Sequence, residues 1–521
     1  MSHFTAIIKG DYLQRTRSYA FLITLAISLY IAYTFVPAPD AAYTTVRVGN
    51  FIGDYNAAWI GHVTAIMTSV FLSLIGFYLV NNSVKKDLET EVGMIVATTQ
   101  VSDFKYLMSK VLSNFLVLLS IVGIVFAMSV FIFFFRSEGF SFEVMQFILP
   151  YLFVTVPSIF VIASVAVVAE VLIPRRPILQ YIGFFILFNA VIANVQMKDA
   201  TDMLTYLDPF GVKVVSKGLE DFVENKYGID ARITSMGFNF GPKKELKVFV
   251  FEGMNWSVPF LFSRILWMAI GVGLVFTSSK FFHRFDVKER VAVKKKDKSV
   301  EKISERPIRD IRLSSLPPVL IDYGILPFIK TELLMLFRKG PMWFWFVNLG
   351  GVIALLFTPI AIAHQFILPI LWFLQIGRWS DIATKEKSNR IHYFTYAAYQ
   401  PLKRLLPSQL LAGITLAIAL AMPLVVRYII ALQFLQVAGI FLGAIFIVVL
   451  AVFLGMISGG KKLFEVLFFL VAYANMNQIP FADYFGAMWE NQTPALLVLM
   501  LAGAMVVASW LIRGYEIKNA K

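Results

Sequence analysis

Residues 431–457 read ALQFLQVAGIFLGAIFIVVLAVFLGMI and contain no Asp, Glu, Lys or Arg. An α-helix needs about 20 predominantly apolar residues to cross the hydrocarbon layer, so this stretch predicts a transmembrane helix. Comparable apolar stretches lie at about 19–36, 58–80, 112–135, 145–169, 178–195, 258–279, 342–359, 362–377, 408–426, 463–478 and 495–512. The pattern predicts an all-α, polytopic helical membrane protein with about 12 transmembrane helices.

The composition excludes an ordinary soluble protein. Of the 521 residues, 58% are hydrophobic and 15% are charged, whereas soluble domains are about half apolar and about a quarter charged. The absence of cysteine excludes disulfides, thiolate metal sites and cysteine nucleophiles. The net charge of +14 does not indicate a nucleic-acid partner, because Lys and Arg concentrate in the cytoplasmic loops of membrane proteins.

The distribution of basic residues predicts the orientation. With the N-terminus placed inside, most of the 47 Lys and Arg residues fall on the inner side of the membrane. We therefore expect a multi-pass protein of the plasma membrane, or of the inner membrane of a bacterium, with both termini cytoplasmic. Its immediate partner is then the lipid bilayer.

The spans fall into two groups of six, which predicts two permease-like halves at 1–282 and 319–521. The first half has a long outer loop at 196–257, whose counterpart at 479–494 is far shorter. Between the halves, 283–318 is strongly basic and includes Lys294-Lys295-Lys296, a composition that predicts a solvated cytoplasmic linker.

Each half opens with a short amphipathic segment, and charged residues recur in the two segments at one constant separation. The matched pairs are Lys9 with Lys330, Asp11 with Glu332, and Arg17 with Arg338. This agreement, together with the equivalent order of spans, predicts an internal duplication.

The loop between the second and third spans reads KKDLETEVGMIVATTQVSDFKYLMSK from Lys85 to Lys110. It is too polar to cross the membrane, yet wound as a helix it has an apolar side. We expect a short amphipathic helix against the inner face of the membrane, placed to contact another protein. The alternative is a membrane-surface helix that merely connects two spans.

This loop resembles the corresponding loop of type-2 ATP-binding cassette (ABC) exporter permeases, with Gln100 where that family usually has proline. The residues that carry the resemblance, or lie beside them, are Glu89, Glu91, Gly93, Thr98, Thr99, Val101, Ser102, Phe104 and Lys110. A degenerate copy in the second half, with Ser388 where glycine is usual, contains Glu386, Tyr393, Tyr396, Lys403 and Arg404.

The resemblance implies that the chain is the membrane subunit of an ATP-driven exporter. The two loops would then be coupling helices that dock on nucleotide-binding ATPase subunits at the cytoplasmic side. ATP and magnesium would be bound by those partners, so this chain would bind no cofactor and would not itself be an enzyme. Loop 196–257 would gate the outer side, or else form a surface flap.

Motifs for catalysis or metal binding are lacking. Gly455 to Lys461 matches a phosphate loop only in part, because Lys462 stands where Ser or Thr would hold magnesium, and no strand is predicted before it. The five histidines show no metal-ligand spacing, so we predict no metal site.

Two other functional classes share these features. One is a non-transporting membrane scaffold for a cytoplasmic ATPase or an envelope complex. The other is an ion-coupled secondary transporter, which the scarcity of ionisable residues within the spans disfavours. Glu170, near Arg175 and Arg176, is expected to form an interfacial ion pair. The pair Gly439 and Gly443 predicts close helix packing within the chain, or a dimer seam.

Overall fold

The computed structural model describes residues 3–39, 41, 43–90, 92–174, 177–195, 208–228, 233–240, 246–282, 324–340, 342–476, 482–489 and 491–519. The linker predicted at 283–318 and the residues Glu91, Arg175 and Arg176 lie outside these ranges. We call residues 3–282 the N-terminal half and residues 324–519 the C-terminal half. The described chain is mostly helical, as the apolar stretches predict.

A helix forms at each of the predicted apolar stretches. The N-terminal half contains α1 (His3–Thr16), α2 (Tyr19–Phe35), α3 (Ala57–Val80), α4 (Ser83–Glu89), α5 (Val92–Ala97), α6 (Asp103–Arg136), α7 (Val144–Leu172), α8 (Pro177–Val195), α9 (Val212–Tyr227) and α10 (Val258–Ser279). The C-terminal half contains α11 (Leu326–Arg338), α12 (Trp343–Phe357), α13 (Ile360–Leu374), α14 (Ile376–Trp379), α15 (Lys385–Ser388), α16 (His392–Tyr396), α17 (Pro401–Ile430), α18 (Phe434–Ser458), α19 (Lys462–Met476) and α20 (Thr493–Asn519). One π-helical turn interrupts α7 at Tyr151–Thr155 and another interrupts α13 at Ala363–Ile367.

The lengths of these helices are those of a helical integral membrane protein. Among the described residues, 7 helices are long and apolar enough to cross a membrane, or up to 9 if each bent pair is counted as one span. The bent pairs are α1 with α2 (72°) and α11 with α12 (100°), one at the start of each half. The remaining predicted spans correspond to α8, α13 and α19, which are described over fewer than about 20 residues, so helix length does not confirm the number of 12.

A small four-stranded sheet accompanies the helices, and the sequence analysis did not predict it. Its strands are β1 (Tyr43–Val48), β2 (Phe51–Gly53), β3 (Ile233–Phe240) and β4 (Lys247–Phe249), in the order β3-β1-β2-β4. Only β2 and β4 are parallel; β1 is antiparallel to both β2 and β3. β1 reads YTTVRV, which is rich in β-branched residues, and Gly49 at φ 56° makes the turn into β2. The sheet thus joins loop 196–257 to the segment after α2.

The two ends of α3 differ in the structure that packs against them. The sheet lies at the start of α3, where Asn56 Nδ2 donates a hydrogen bond to Phe251 O (2.5 Å). At the other end of α3, Lys462 Nζ donates to Tyr78 O (3.2 Å), and the neighbouring Lys461 pairs with Asp381 in the segment after α14. We call these ends the sheet face and the loop face.

Burial separates central helices from peripheral ones. The most apolar window of α3 is 83% buried inside the protein, whereas that of α10 is 28% buried and that of α20 is 17% buried. Apolar side chains that do not face protein must face lipid in a membrane helix. We conclude that α3 is a central helix and that the last helix of each half lies at the periphery.

The glycine pair of α18 packs within the chain, which confirms the first of the two predicted alternatives. A Cβ atom on Gly439 would lie 2.8 Å from Gly486 Cα and 2.8 Å from Phe485 O, and one on Gly443 would lie 2.5 Å from Phe485 Cβ. Glycine is therefore required at both positions for the segment before α20 to approach the α18 backbone.

Candidate functional site at the loop face

The first loop-face segment begins with α4, and the carboxylate of Glu170 in α7 caps its N-terminus. Glu170 Oε1 accepts hydrogen bonds from Ser83 N (2.8 Å) and Ser83 Oγ (3.0 Å), and Oε2 accepts from Val84 N (2.8 Å) and Lys85 N (3.1 Å). The first N–H groups of a helix have no partner within it, and a carboxylate there also interacts favourably with the helix dipole. Glu170 thus holds α4 against α7 by backbone contacts that the sequence analysis did not foresee.

Lys110 in α6 lies at the centre of a buried ion-pair cluster. Its Nζ is 2.6 Å from Asp11 Oδ2 in α1 and 2.6 Å from Asp87 Oδ2 in α4, and its side chain is only 1% exposed. Asp87 Oδ2 also accepts a hydrogen bond from Tyr106 Oη (2.8 Å). A buried ammonium group is stable only when carboxylates pair with it. Lys110 therefore ties α1 and α4 to the third span.

The C-terminal half repeats this cluster with one charge replaced. Glu332 in α11 pairs with Lys385, and Glu386 Oε1 accepts a hydrogen bond from Gln409 Nε2 (2.6 Å). Glu386 follows Asp87, and Gln409 follows Lys110, by the same number of residues. The neutral amide of Gln409 thus occupies the position of Lys110 in the N-terminal half. Burial raises the pKa of Glu386.

The second loop-face segment is also held by the last helix of the chain. The buried Arg513 of α20 donates hydrogen bonds to Ala383 O (3.0 Å) and to Tyr396 Oη. Glu516 Oε1 lies 2.6 Å from Lys387 Nζ, and Glu516 Oε2 accepts a hydrogen bond from Tyr396 Oη (3.2 Å). Burial raises the pKa of Tyr396 to about 12, so its hydroxyl keeps the proton that it donates to Glu516. Four side chains thus connect this segment to α20.

Both segments expose large apolar side chains. Ile95 on α5 is 68% exposed and its neighbour Val92 is 44% exposed. In the second segment Phe394 is 81% exposed and Tyr393 is 63% exposed. Exposed apolar groups that cluster beside polar residues are typical of an interaction surface. The loop face therefore has two exposed apolar surfaces, one in each half.

The predicted docking residues divide into two sets. Those buried in the structure are Gly93, Val101, Lys110, Glu386 and Tyr396. Those exposed or partly exposed are Thr98, Thr99, Ser102, Phe104, Tyr393, Lys403 and Arg404. The side chain of Glu89 lies outside the described part of the chain, as does Glu91. The buried set is placed to position the loops, and only the exposed set can contact a partner.

The segment between the second and third spans, for which the sequence predicts a short amphipathic helix, consists of several helical pieces. The hydroxyls of Thr98 and Thr99 donate to Ile95 O (2.7 Å) and Val96 O (2.6 Å), which satisfies backbone carbonyls at the end of α5. Ser102 Oγ then accepts a hydrogen bond from Lys105 N (3.3 Å) and caps the start of α6. Side-chain hydrogen bonding therefore divides the segment into α4, α5 and the first turns of α6.

The matched charged residues of the leading helices α1 and α11 have equivalent environments. Lys9, Lys330, Arg17 and Arg338 are exposed, whereas Asp11 and Glu332 turn inward and form ion pairs. This agreement in burial and pairing supports the internal duplication that the sequence predicts.

The two halves meet along a seam to which α2, α3 and α8 contribute from the N-terminal half, and α18 and α19 from the C-terminal half. At its loop-face end, Lys462 Nζ donates to Tyr181 Oη (2.8 Å) and lies 3.6 Å from Glu465 Oε2. Further toward the sheet face the contacts are aromatic. The ring-centroid distances are 4.0 Å for Tyr78 with Phe469, 5.5 Å for Phe185 with Phe469, and 6.4 Å for Phe188 with Tyr473. The seam is thus polar at one end and apolar beyond it.

The tetrapeptide D-x-F-G precedes the last helix of each half and is a second duplicated element. It was not recognised from the sequence alone. It is formed by residues 208–211 and 483–486. Asp208 Oδ1 and Oδ2 accept hydrogen bonds from Phe210 N and Lys213 N, both at 2.8 Å. Asp483 Oδ1 and Oδ2 accept from Phe485 N (3.1 Å) and Met488 N (2.6 Å).

The two turns also have equivalent anchors. Phe210 O accepts a hydrogen bond from Ser69 Oγ of α3 (2.8 Å), and Phe485 O lies 3.1 Å from His364 Nε2 of α13. Each turn is thereby held against the second span of its own half. The loops that contain the two turns differ in length (196–257 and 479–494), so loop length does not suggest that the turns are equivalent. Only the repeated D-x-F-G sequence could have indicated it.

Within the described residues, no group of three or more His, Asp or Glu side chains could hold a metal ion. Comparisons with known proteins find no matching family model, no matching curated protein and no matching solved structure.

Proposed function

We propose that the chain is the membrane-spanning permease subunit of an ATP-driven exporter of the type-2 ABC class, with both six-span halves in one chain. The observation that carries the proposal is the pair of loop-face segments. Each follows the second span of its half, is tied to its surroundings by buried charged groups, and exposes large apolar side chains. A coupling element needs this combination, because it must bind a partner and transmit force without bending.

The loop face is the cytoplasmic face in this proposal. Helix α1 at the N-terminus pairs with Lys110, and Glu516 near the C-terminus pairs with Lys387, so both described ends of the chain lie at the face that bears the two loops. This arrangement, together with the excess of basic residues in the short loops, supports a multi-pass protein with cytoplasmic termini.

The mechanism requires nucleotide-binding subunits that this chain does not contain. ATP and magnesium would be bound by those subunits, and their closure would push on α5 and α16. Because both segments are locked to their own halves, the push would move the halves against each other along the seam. Such coupling works only if the two conformations of the permease bind the partner differently.

Replacing an exposed apolar side chain of each loop-face segment with a charged one tests the proposal. We expect the full chain, purified gently from its native membrane, to retain a near-stoichiometric ATPase with a complete phosphate loop. Ile95→Asp and Phe394→Asp should each reduce that retention and abolish substrate-stimulated ATP hydrolysis. Val248→Asp is the matched control, because Val248 is 60% exposed on β4 at the sheet face.

Two results would contradict the proposal. The first is an intact, folded chain that carries no ATPase under mild conditions. The second is unchanged ATPase retention and stimulation in both loop variants. A chain that retains an ATPase whose activity responds to no substrate would instead indicate a membrane scaffold.

A further inference from the structure

A carboxyl group and an amide connect the second loop-face segment to helix α17. Gln409 Nε2 of α17 donates a hydrogen bond to Glu386 Oε1 of α15 (2.6 Å), and both side chains are buried. At the equivalent positions of the N-terminal half, Lys110 and Asp87 form an ion pair. The two loop-face segments are thus connected to equivalent helices by different chemistry.

One oxygen on each side chain of this pair lacks a donor. Glu386 Oε2 and Gln409 Oε1 are both buried, and neither accepts a hydrogen bond from any residue that the structure describes. A buried acceptor without a donor is unfavourable, and the cost is larger when the group is charged. Ionised Glu386 therefore leaves two unsatisfied oxygens, one of which belongs to the charged group.

The cations near Glu386 are engaged with other groups. Its charged neighbours are Lys385 of the same helix, Arg513 of α20 and the carboxylate of Glu332 on α11. Lys385 pairs with Glu332, and Arg513 donates a hydrogen bond to Ala383 O (3.0 Å). Within the described ranges, no cation forms an ion pair with Glu386 itself. An ionised Glu386 would thus be a buried carboxylate without a cation partner, which is unfavourable.

A single proton on Glu386 satisfies both oxygens. A protonated carboxyl group has a donor beside an acceptor, and a side-chain amide has an acceptor beside a donor. Glu386 Oε2 can then donate to Gln409 Oε1, while Gln409 Nε2 keeps its hydrogen bond to Glu386 Oε1. Burial raises the pKa of Glu386, which favours this protonated form. The neighbouring phenol of Tyr396 on α16 also keeps its proton, because burial raises its pKa to about 12.

We propose that Glu386 is protonated when the second loop-face segment packs on α17, and that it pairs with Gln409 through two hydrogen bonds. Ionisation breaks one of these bonds and leaves a buried charge unpaired, so the segment loosens. The packed segment holds the proton and the loosened segment releases it in the ordinary range of a glutamate carboxyl. Packing is therefore complete at low pH and is lost as the pH rises.

The first segment does not share this property. Its contact depends on the charges of Lys110 and Asp87, and a proton on the carboxylate would weaken that ion pair instead of forming it. The two segments thus respond to rising pH in different ways. In the exporter, a consequence that rests on the proposed function, a loosened second segment would transmit less force, so coupling would fall as the pH rises.

Infrared spectroscopy of the full chain in phosphatidylcholine nanodiscs, with no ATPase present, tests the protonation. At a pH above the ordinary range of a glutamate carboxyl, we expect the wild-type spectrum minus that of Glu386→Gln to contain the C=O stretch of a protonated carboxyl group. Gln409→Lys introduces the cation of the N-terminal pair. In that background the same subtraction should contain the bands of an ionised carboxylate.

Hydrogen–deuterium exchange of the same samples measures packing of the segment. After correction for the intrinsic pH dependence of exchange, protection of residues 385–396 in the wild type should fall about tenfold as the pH rises, the change expected for one buried hydrogen bond. Residues 83–97 of the first segment are the control within the same chain and should show no such fall. Glu386→Gln, whose amide can also form two hydrogen bonds with Gln409, should keep its protection over the same pH range.

Two results would overturn the inference. The first is an ionised carboxylate at position 386 in the packed wild type, as expected if a water molecule donates to both oxygens. The second is the same pH dependence of protection in the wild type and in Glu386→Gln. Both results come from this isosteric variant, so the inference is decided even if Gln409→Lys does not fold. The assays contain no ATPase, so their failure is distinct from a failure of the proposed function.

Discussion

A single buried pair distinguishes the two halves at the residue scale. Lys110 and Asp87 form an ion pair. Gln409 and Glu386, at the equivalent positions, form a hydrogen bond in which only Glu386 can carry a charge. The N-terminal cluster therefore depends on the charge of Lys110. The C-terminal cluster instead contains a hydrogen bond from Gln409 Nε2 to Glu386 Oε1.

Lys110→Met should be strongly destabilising. The substitution leaves Asp11 and Asp87 without their common cation, and breaking a buried ion pair costs about 3–5 kcal/mol. We expect a markedly lower apparent unfolding temperature in detergent. Lys105→Met, at an exposed position of the same helix, is the control and should change it little. Equal stability of the two variants would show that the cluster does not hold α1 and α4.

Glu386→Gln should change the pH dependence of stability. Because burial raises the pKa of Glu386 in the folded protein, the fold favours the protonated carboxyl. That contribution is present at low pH and is lost as the pH rises through the folded-state pKa. Relative to the variant, which cannot titrate at this position, the wild type should lose stability as the pH rises above the ordinary range of a glutamate carboxyl.

Thermal unfolding of both proteins in detergent over a series of pH values, starting in the ordinary range of a glutamate carboxyl, provides the measurement. Parallel pH profiles for the wild type and Glu386→Gln would mean that this carboxyl does not titrate differently on folding. The prediction is independent of any partner protein.

At the scale of elements, the two halves share three structural features. A leading helix meets the first span at a bend, a loop-face segment is held by buried charged groups, and a D-x-F-G turn anchors on the second span. The halves differ most in the length of chain around the turn, where the N-terminal half adds α9, β3 and β4. The proposed gate role of loop 196–257 stays a prediction.

Gly439→Ala should destabilise the C-terminal half. The new Cβ would lie 2.8 Å from Gly486 Cα and from Phe485 O, so the D-x-F-G turn would have to move. Overpacking of this kind costs about 1–3 kcal/mol. Gly503→Ala in α20 is the control, since nothing lies within 4 Å of its added Cβ. A thermal unfolding series in detergent distinguishes them, and equal midpoints would contradict the close approach.

At the scale of the whole molecule, the seam is where the halves would have to move. The Phe185 and Tyr473 rings, from α8 and α19, have centroids 6.4 Å apart. The chain contains no cysteine, so a cysteine pair can be introduced without a background of native thiols. This property makes relative motion of the halves directly testable.

Cross-linking Phe185→Cys to Tyr473→Cys with a short bifunctional thiol reagent should block transport and uncouple ATP hydrolysis from substrate. Either single variant treated in the same way is the control and should stay active. Undiminished transport by the fully cross-linked chain would show that the seam does not open. The measurement is transport in proteoliposomes that contain the partner ATPase.

Much of the helical framework could be predicted, because apolar runs such as 431–457 need no tertiary information to form membrane helices. The matched charges of α1 and α11 were also visible in the sequence, and their environments agree. The number of 12 crossings stays a prediction, because 7 to 9 helices of the described residues are long enough to cross a membrane, and helices such as α13 and α19 are described over fewer residues than a full crossing needs. The docking roles of the loop residues stay predictions.

The sequence by itself determined the membrane class, the positions of the helices and the two leading segments with their matched charges. These features depend on composition and on local periodicity, which act within one helix. Only the tertiary structure decided that Lys110, Glu386 and Tyr396 are buried, that two D-x-F-G turns are equivalent, and that Lys462 meets Tyr181 across the seam. Such contacts join residues far apart in the chain, and local pattern carries no information about which charges and aromatic rings will meet.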